Sequence, residues 1–257
     1  MTASRGTRHL AIGSGWGASR TDSIVWLLDR RQISPAVLVA ADARLAEAER
    51  VQQSHFNASR REQGVLGHVL LQYALAREIG CDPGAIRVSA RAANRPRINA
   101  PGGELPRFSL SHSGPWVACA VHATTEIGLD VEIVNSTRDF IAISAWLFGP
   151  EEHDWLLRQP DRAGAFYRLW TGKEALVKLS HQIGRPSALH ELRFAIEGDS
   201  VGAPPPAKRW HHEQTSSGLA LSLMSVAPAG LVRIQPIDGP SFSALFESAT
   251  SGRNSRK

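Results

Sequence analysis

Two short stretches hold the residues best suited to chemistry: Ile127-Gly-Leu-Asp-Val-Glu-Ile-Val134 and Trp170-Thr-Gly-Lys-Glu-Ala-Leu-Val-Lys178. Apolar alternation makes the first a strand, with Ile127, Leu129, Val131 and Ile133 on one face and Gly128, Asp130 and Glu132 on the other. Side chains two apart on a strand repeat every ~6.5–7 Å, so Asp130 and Glu132 can share one hard divalent cation. In the second stretch a spacing of four aligns Trp170, Glu174 and Lys178 along one stripe of a helix. If strand and helix meet, Asp130, Glu132 and Glu174 give three carboxylate ligands with an ammonium beside them. That donor set suits magnesium and a phosphate-bearing substrate.

Each piece alone is weak. Acidic pairs are ordinary on solvated strand faces, and a Glu–Lys pair at i,i+4 is a common helix-surface contact worth ~0.3–0.5 kcal/mol. Ser109-x-Ser111-His112-Ser113-Gly reads as turn chemistry after a strand and lacks the Gly-x-Ser-x-Gly pattern of a nucleophile elbow. Gly13-Ser-Gly-Trp-Gly17 imitates a phosphate loop without a strand before it or a helix after it. His211 and His212 point to opposite faces if they lie in a strand, which argues against a shared metal. No motif offers an activated nucleophile.

The elements that must position these residues fall in a repeating order. A strand is expected over Ile24–Leu28, a helix from Ala40 to about Gln53, and a longer helix from about Ala58 to Ile79, capped by Asn57 and ended at Gly80. Strands follow at Ile86–Ala90, Arg107–His112 and Trp116–His122, then the Asp130 strand. Short helices are expected around Phe140–Phe148 and Pro150–Leu157, and a long one from Arg162 to His181 capped by Asp161. Strands at Leu192–Ile196, Lys208–Gln214, Leu219–Val226 and Leu231–Ile237 close the chain. Strand, helices, strands, twice over, predicts an α+β protein of two similar halves meeting near residues 123–127. The expected division is 1–124, 125–245 with the metal site, and a disordered basic tail over 246–257.

The chain has 257 residues, 42% hydrophobic and 21% charged, which is ordinary globular composition. A net charge of +5 and a pI near 9.8 favour anionic partners. Cys81 and Cys119 are too few for a disulfide framework and fit a reducing compartment. No apolar run approaches the ~18 residues of a membrane span, and no signal-peptide core opens the chain, so a cytoplasmic, membrane-free protein is expected.

Taken together and in order, Asn94-Arg95-Pro96, Phe108-Ser-Leu-Ser-His112, Gly128-Leu-Asp-Val-Glu132 and Trp170-x-x-Lys-Glu-Ala-x-x-Lys178 resemble the signature of the 4′-phosphopantetheinyl transferases, in particular the larger Sfp-type group. The resemblance covers roughly residues 40–200. It implies two α+β halves in a pseudo-twofold arrangement with coenzyme A between them. It also implies magnesium-dependent transfer of the 4′-phosphopantetheine arm to a serine of an acyl or peptidyl carrier domain, releasing 3′,5′-ADP. Carriers of fatty acid, polyketide or nonribosomal peptide synthesis all fit, nucleic acid is not implied, and a monomer is the default.

By the same resemblance Asp130 and Glu174 are the principal magnesium ligands and Glu132 the third. Glu174 also takes the carrier serine's proton, directly or through a water. Lys178 holds the pyrophosphate, while Ser111, His112, Arg95 and the upstream Arg50 meet the adenosine side. Lys173, about 100° round the helix from Glu174, ranks lower, and Trp170 is expected to pack. One departure stands out: Gln63 occupies a position where family members commonly carry a phosphate-binding arginine, with Arg60 and Arg61 as nearby substitutes. The rival readings are a magnesium-dependent nuclease and a non-catalytic module that docks coenzyme A or a carrier.

Overall fold

Period-two alternation sorts the strands into two sheets that bury an apolar seam between them. The computed structural model of the chain describes residues 21–92, 95–228 and 230–251. In chain order the elements are β1 (Ser23–Asp29), α1 (Pro35–Asp42), α2 (Glu47–Ser54), α3 (Ala58–Ile79), β2 (Arg87–Ala92), β3 (Arg95–Asn99), β4 (Arg107–Ser113), β5 (Trp116–His122), β6 (Ile127–Ile133), α4 (Phe140–Leu147), α5 (Pro150–Arg158), α6 (Arg162–Gln182), β7 (Ala195–Glu197), β8 (Ser200–Gly202), β9 (Arg209–Gln214), β10 (Leu219–Ser225), β11 (Val232–Ile237) and α7 (Gly239–Ser251). One sheet has the order β11-β1-β5-β4 and the other β6-β10-β9, with β2-β3 and β7-β8 as small hairpins. Helices segregated from largely antiparallel strands make the fold α+β, as the element order predicts.

The layers follow from which residues alternate. Leu27 and Ala118 from the first sheet meet Leu129, Val131 and Leu221 from the second in the seam. Their neighbours Trp26, Leu28, Val117 and Cys119 face the opposite way and pack with α3 residues such as Leu66 and Leu70. Ala220 and Met224 of β10 pack with Leu176 and Leu179 of α6. Each long helix therefore covers the outer face of one sheet. Both are capped as expected: Asn57 Oδ1 accepts from Arg60 N at 2.9 Å and Asp161 Oδ1 from Gly164 N at 2.9 Å. α3 ends on Gly80 in the left-handed region at φ 72°.

Beyond the unexpected short strands β3 and β8 and a β7 that begins at Ala195 rather than Leu192, the structure differs from expectation in three places. The helix expected over 40–53 is two. Ser34 and Pro35 start α1 early, and Glu49 accepts the Ala46 N–H at 2.9 Å to start α2 anew. β11 pairs in parallel with β1, so the strand expected to close the chain returns to the first sheet. α7 then occupies part of the expected tail and buries Phe242 in the core beneath α3. Residues 252–257 lie outside the described residues. No described helix is long and apolar enough to cross a membrane.

Candidate active site

β6 and α6 come together because Gly128 has no side chain. A Cβ there would lie 2.8 Å from Leu179 N and 3.0 Å from the Ala175 carbonyl carbon, and closer still to the Ala175 oxygen. The helix backbone therefore rests directly on the strand, two residues before Asp130. That approach sets the expected stripe of α6 against the expected acidic face of β6.

The other edge of β6 is closed by serines. Ser109, Ser111 and Ser113 alternate along β4, and their hydroxyl oxygens accept the N–H groups of Leu129 (2.9 Å), Val131 (3.2 Å) and Ile133 (3.1 Å). Two of them also donate: Ser111 to Asp130 Oδ1 at 2.8 Å and Ser113 to Glu132 Oε2 at 2.6 Å. Lys178 Nζ completes the centre with donations to Asp130 Oδ1 (2.8 Å), Leu129 O (2.8 Å) and Ser111 Oγ (2.9 Å). Asp130 is 6% exposed, and its Oδ2 is buried with no hydrogen-bond partner among the described residues.

Glu174 stands half-buried one helical turn before Lys178. Burial first, then the charges of Asp130 and Glu132, push its carboxyl above the usual range, with Lys178 opposing. Glu132 is likewise raised, mainly by burial and further by Asp130, while its hydrogen bond from Ser113 works the other way. The three predicted acids thus share one electrostatic neighbourhood. Among the described residues no three side chains converge as a preformed metal cage. The fit is instead to a cation that takes one or two carboxylates and completes its shell with water and substrate oxygens, as magnesium does. The bare Asp130 Oδ2 is the donor such an ion would find.

Two grooves flank this centre. One runs between α3 and β4, lined by Phe56, Arg60, Gln63, Ser111 and His112. The other is lined by Glu174, Val177, His181 and Leu189. His112 faces the first groove, where its Nδ1 lies 3.1 Å from Arg60 Nη1. Ser111 has its hydroxyl committed to Asp130, Val131 and Lys178, so its part is to aim the carboxylate.

Of the two arginines near Gln63, Arg60 reaches the groove and Arg61 turns away to Asp42 at 3.3 Å. Gln63 donates to the Gly114 carbonyl at 2.8 Å, tying α3 to the turn after β4. Arg50 is not brought to the site: it pairs with Glu47 at 2.7 Å on α2, whose Glu49 and Gln53 line the groove instead. Arg95 opens β3, but its side chain lies outside the described residues. Trp170 packs as expected, stacked on Phe166 at 5.7 Å.

Lys173 is wholly buried and pairs with buried Glu152 at 2.8 Å, between the rings of Phe148 and Phe194. Glu152 also accepts the N–H groups of Phe194 (2.7 Å) and Gly149 (2.6 Å). This pair locks the helix turn carrying Glu174 to α5 and the segment before β7. Sequence reasoning missed it, as it missed the serine rungs. The alternation Ser109-x-Ser111-x-Ser113 beside a strand reading Asp130-x-Glu132 was the available signal.

A profile described as the 4′-phosphopantetheinyl transferase superfamily matches residues 126–223, which span β6, α6 and most of β10. The chain is 32% identical over 177 residues to the 4′-phosphopantetheinyl transferase HetI of Nostoc sp., covering 67% of this chain and 73% of that protein. The chain belongs to the 4′-phosphopantetheinyl transferase superfamily. It is an enzyme of that class, a 4′-phosphopantetheinyl transferase. Two further relatives from Bacillus subtilis align over shorter stretches. One, described as a 4′-phosphopantetheinyl transferase, is 33% identical over 51% of this chain and 56% of its own length. The transferase Sfp is 32% identical over 44% of this chain and 50% of its own. The chain thus spans about half of these two relatives.

Proposed function

We propose that this transferase moves the 4′-phosphopantetheine arm of coenzyme A to a serine of acyl or peptidyl carrier domains, with magnesium, releasing 3′,5′-ADP. The observation that carries the site assignment is the meeting of Lys178, Ser111 and Asp130 within 2.9 Å between two grooves. The diphosphate sits at Lys178, whose ammonium is a point charge for phosphate oxygens. The adenosine side lies in the groove of Phe56, Arg60 and His112, with Arg60 in place of the arginine that Gln63 displaces. The arm lies towards Val177 and Leu189. Asp130 through Oδ2, together with Glu174 and Glu132, would hold the magnesium, which neutralises charge on the departing phosphate.

The carrier serine oxygen attacks the phosphorus that bears the arm, and the bond from that phosphorus to 3′,5′-ADP breaks. The serine proton passes to Glu174, directly or through a water, and no enzyme-bound intermediate forms. The basic chain steers acidic carriers towards the site. We place it in the cytoplasm as a monomer.

Incubation with magnesium, coenzyme A and a panel of apo carrier domains from fatty acid, polyketide and nonribosomal peptide systems tests this reading. Mass spectrometry should show one phosphopantetheine added per carrier serine, and the fastest carrier identifies the pathway. No modification of any carrier sinks it.

A further inference from the structure

The groove between α3 and β4 runs from exposed Phe56 to residues that are buried. At its inner end Leu71, Val88 and Val117 make apolar walls, and Gly64 and Gly67 present bare backbone along α3. Two buried polar side chains interrupt this lining, Glu49 of α2 and His68 of α3. The transfer chemistry uses neither.

The hydrogens of this pair can be assigned. Glu49 Oε2 accepts the Ala46 N–H at 2.9 Å, and Oε1 lies 3.2 Å from His68 Nδ1. Burial holds the imidazole down to about 4, so it is neutral at neutral pH. Burial also raises the Glu49 carboxyl, and the Ala46 N–H, which bonds its charged form, opposes that. A neutral imidazole beside a carboxylate carries its one hydrogen on the nearer nitrogen, here Nδ1. His68 Nε2 is then an acceptor, and it has no hydrogen-bond partner among the described residues. The remaining lone pairs of Glu49 are acceptors too. Towards the groove, the pair takes hydrogen bonds and gives none.

We propose that Glu49 and His68 set the base specificity of this groove, selecting a nucleotide whose purine carries a 6-amino group over its 6-oxo counterpart. The inference rests on the placement of the adenosine side in this groove. An exocyclic amine offers two N–H donors to the pair, whereas an oxo group sets a further acceptor against two. Acceptors forced together in a buried place stay unpaired, which penalises the oxo base. The apolar walls and the glycine backbone leave the flat ring a surface to lie on.

Adenosine 3′,5′-bisphosphate and inosine 3′,5′-bisphosphate are the probes, titrated by calorimetry into the full chain, with carrier modification measured alongside. The adenine form should bind about 10- to 100-fold more tightly. Glu49→Gln should reverse that order. Glutamine keeps the cap of α2 through its oxygen. Its amide hydrogens then face His68, move the imidazole hydrogen to Nε2 and turn both groups into donors. His68→Phe removes one acceptor and should narrow the ratio. Equal affinity of the unsubstituted chain for the two nucleotides overturns the proposal, whatever the variants do. A ratio indifferent to both substitutions overturns it as well, because a pair that only props α2 against α3 would weaken both nucleotides alike. So does transfer from coenzyme A with no binding of either nucleotide. Base discrimination without transfer to any carrier would instead sink the transferase reading and keep this one.

Discussion

Gly128→Ala perturbs the one contact on which the reaction centre's geometry depends. The new Cβ would stand 2.8 Å from Leu179 N and 3.0 Å from Ala175 C. Both are backbone atoms of α6, so no rotamer change relieves the clash and the helix must retreat by roughly 1 Å. Overpacking of this kind costs about 1–3 kcal/mol. For a chain of this length each kcal/mol lowers Tm by about 2–4 °C, so a fall of roughly 2–12 °C is expected by calorimetry. The same retreat moves Glu174 and Lys178 away from β6. The Lys178 contacts to Asp130 and Leu129, both 2.8 Å, then pass out of hydrogen-bond range. Misplacement by about 1 Å can cost ~10²-fold in rate. Carrier modification followed by mass spectrometry at saturating coenzyme A should therefore slow by one to two orders of magnitude in a protein that still folds cooperatively. A variant with native melting and native turnover would refute the argument that close helix–strand approach builds the site.

Arg60→Ala should raise the KM for coenzyme A by about 10–150-fold, the worth of a charged hydrogen bond, whereas Arg61→Ala, paired with Asp42, should change it little. Equal effects of the two would remove Arg60 from the groove's chemistry. Lys173→Met should lower stability by about 3–5 kcal/mol in urea unfolding, because Glu152 is left buried and unpaired; a loss below 1 kcal/mol would mean the pair is not what locks α6. Glu174→Gln should abolish transfer yet raise the metal-free Tm at neutral pH. The sign follows from burial. The folded carboxyl binds its proton more tightly than the unfolded value of 4.5, so ionisation draws stability down as pH rises from there through the folded value. A lower Tm for this variant, or an unchanged pH slope, would contradict the buried-carboxylate account.

How much of this was legible depended on the range of the interaction. The β6 alternation, the α6 stripe and the Asn57 and Asp161 caps are local patterns, and the Asp130–Lys178 meeting follows once two such patterns touch. Lys173 was legible only as a residue off the Glu174 stripe, because its partner Glu152 sits on another helix and burial of a lysine is rare without one. Arg50 came from the resemblance alone, and its direction depends on where α2 starts: the Ala46–Glu49 cap that restarts the helix lies inside what reads as one continuous helix. The return of β11 to β1 is a pairing between chain ends, which periodicity cannot register.

The serines show why the site lies at the seam rather than within either sheet. β6 is paired with β10 along one edge only, and a buried N–H left without an acceptor costs about 1–3 kcal/mol. A further strand would satisfy Leu129, Val131 and Ile133, but its carbonyls could give nothing back to the acids between them. A hydroxyl has both a donor and acceptor lone pairs. Ser111 can therefore accept from Val131 and donate to Asp130 at once, and Ser113 does the same for Ile133 and Glu132. Because Ser111 and Lys178 both take Oδ1, Asp130 is held by one oxygen, and the other has no hydrogen-bond partner among the described residues. The acids are thus aimed by the first half of the chain and approached by the helix of the second, and neither half alone contains the geometry.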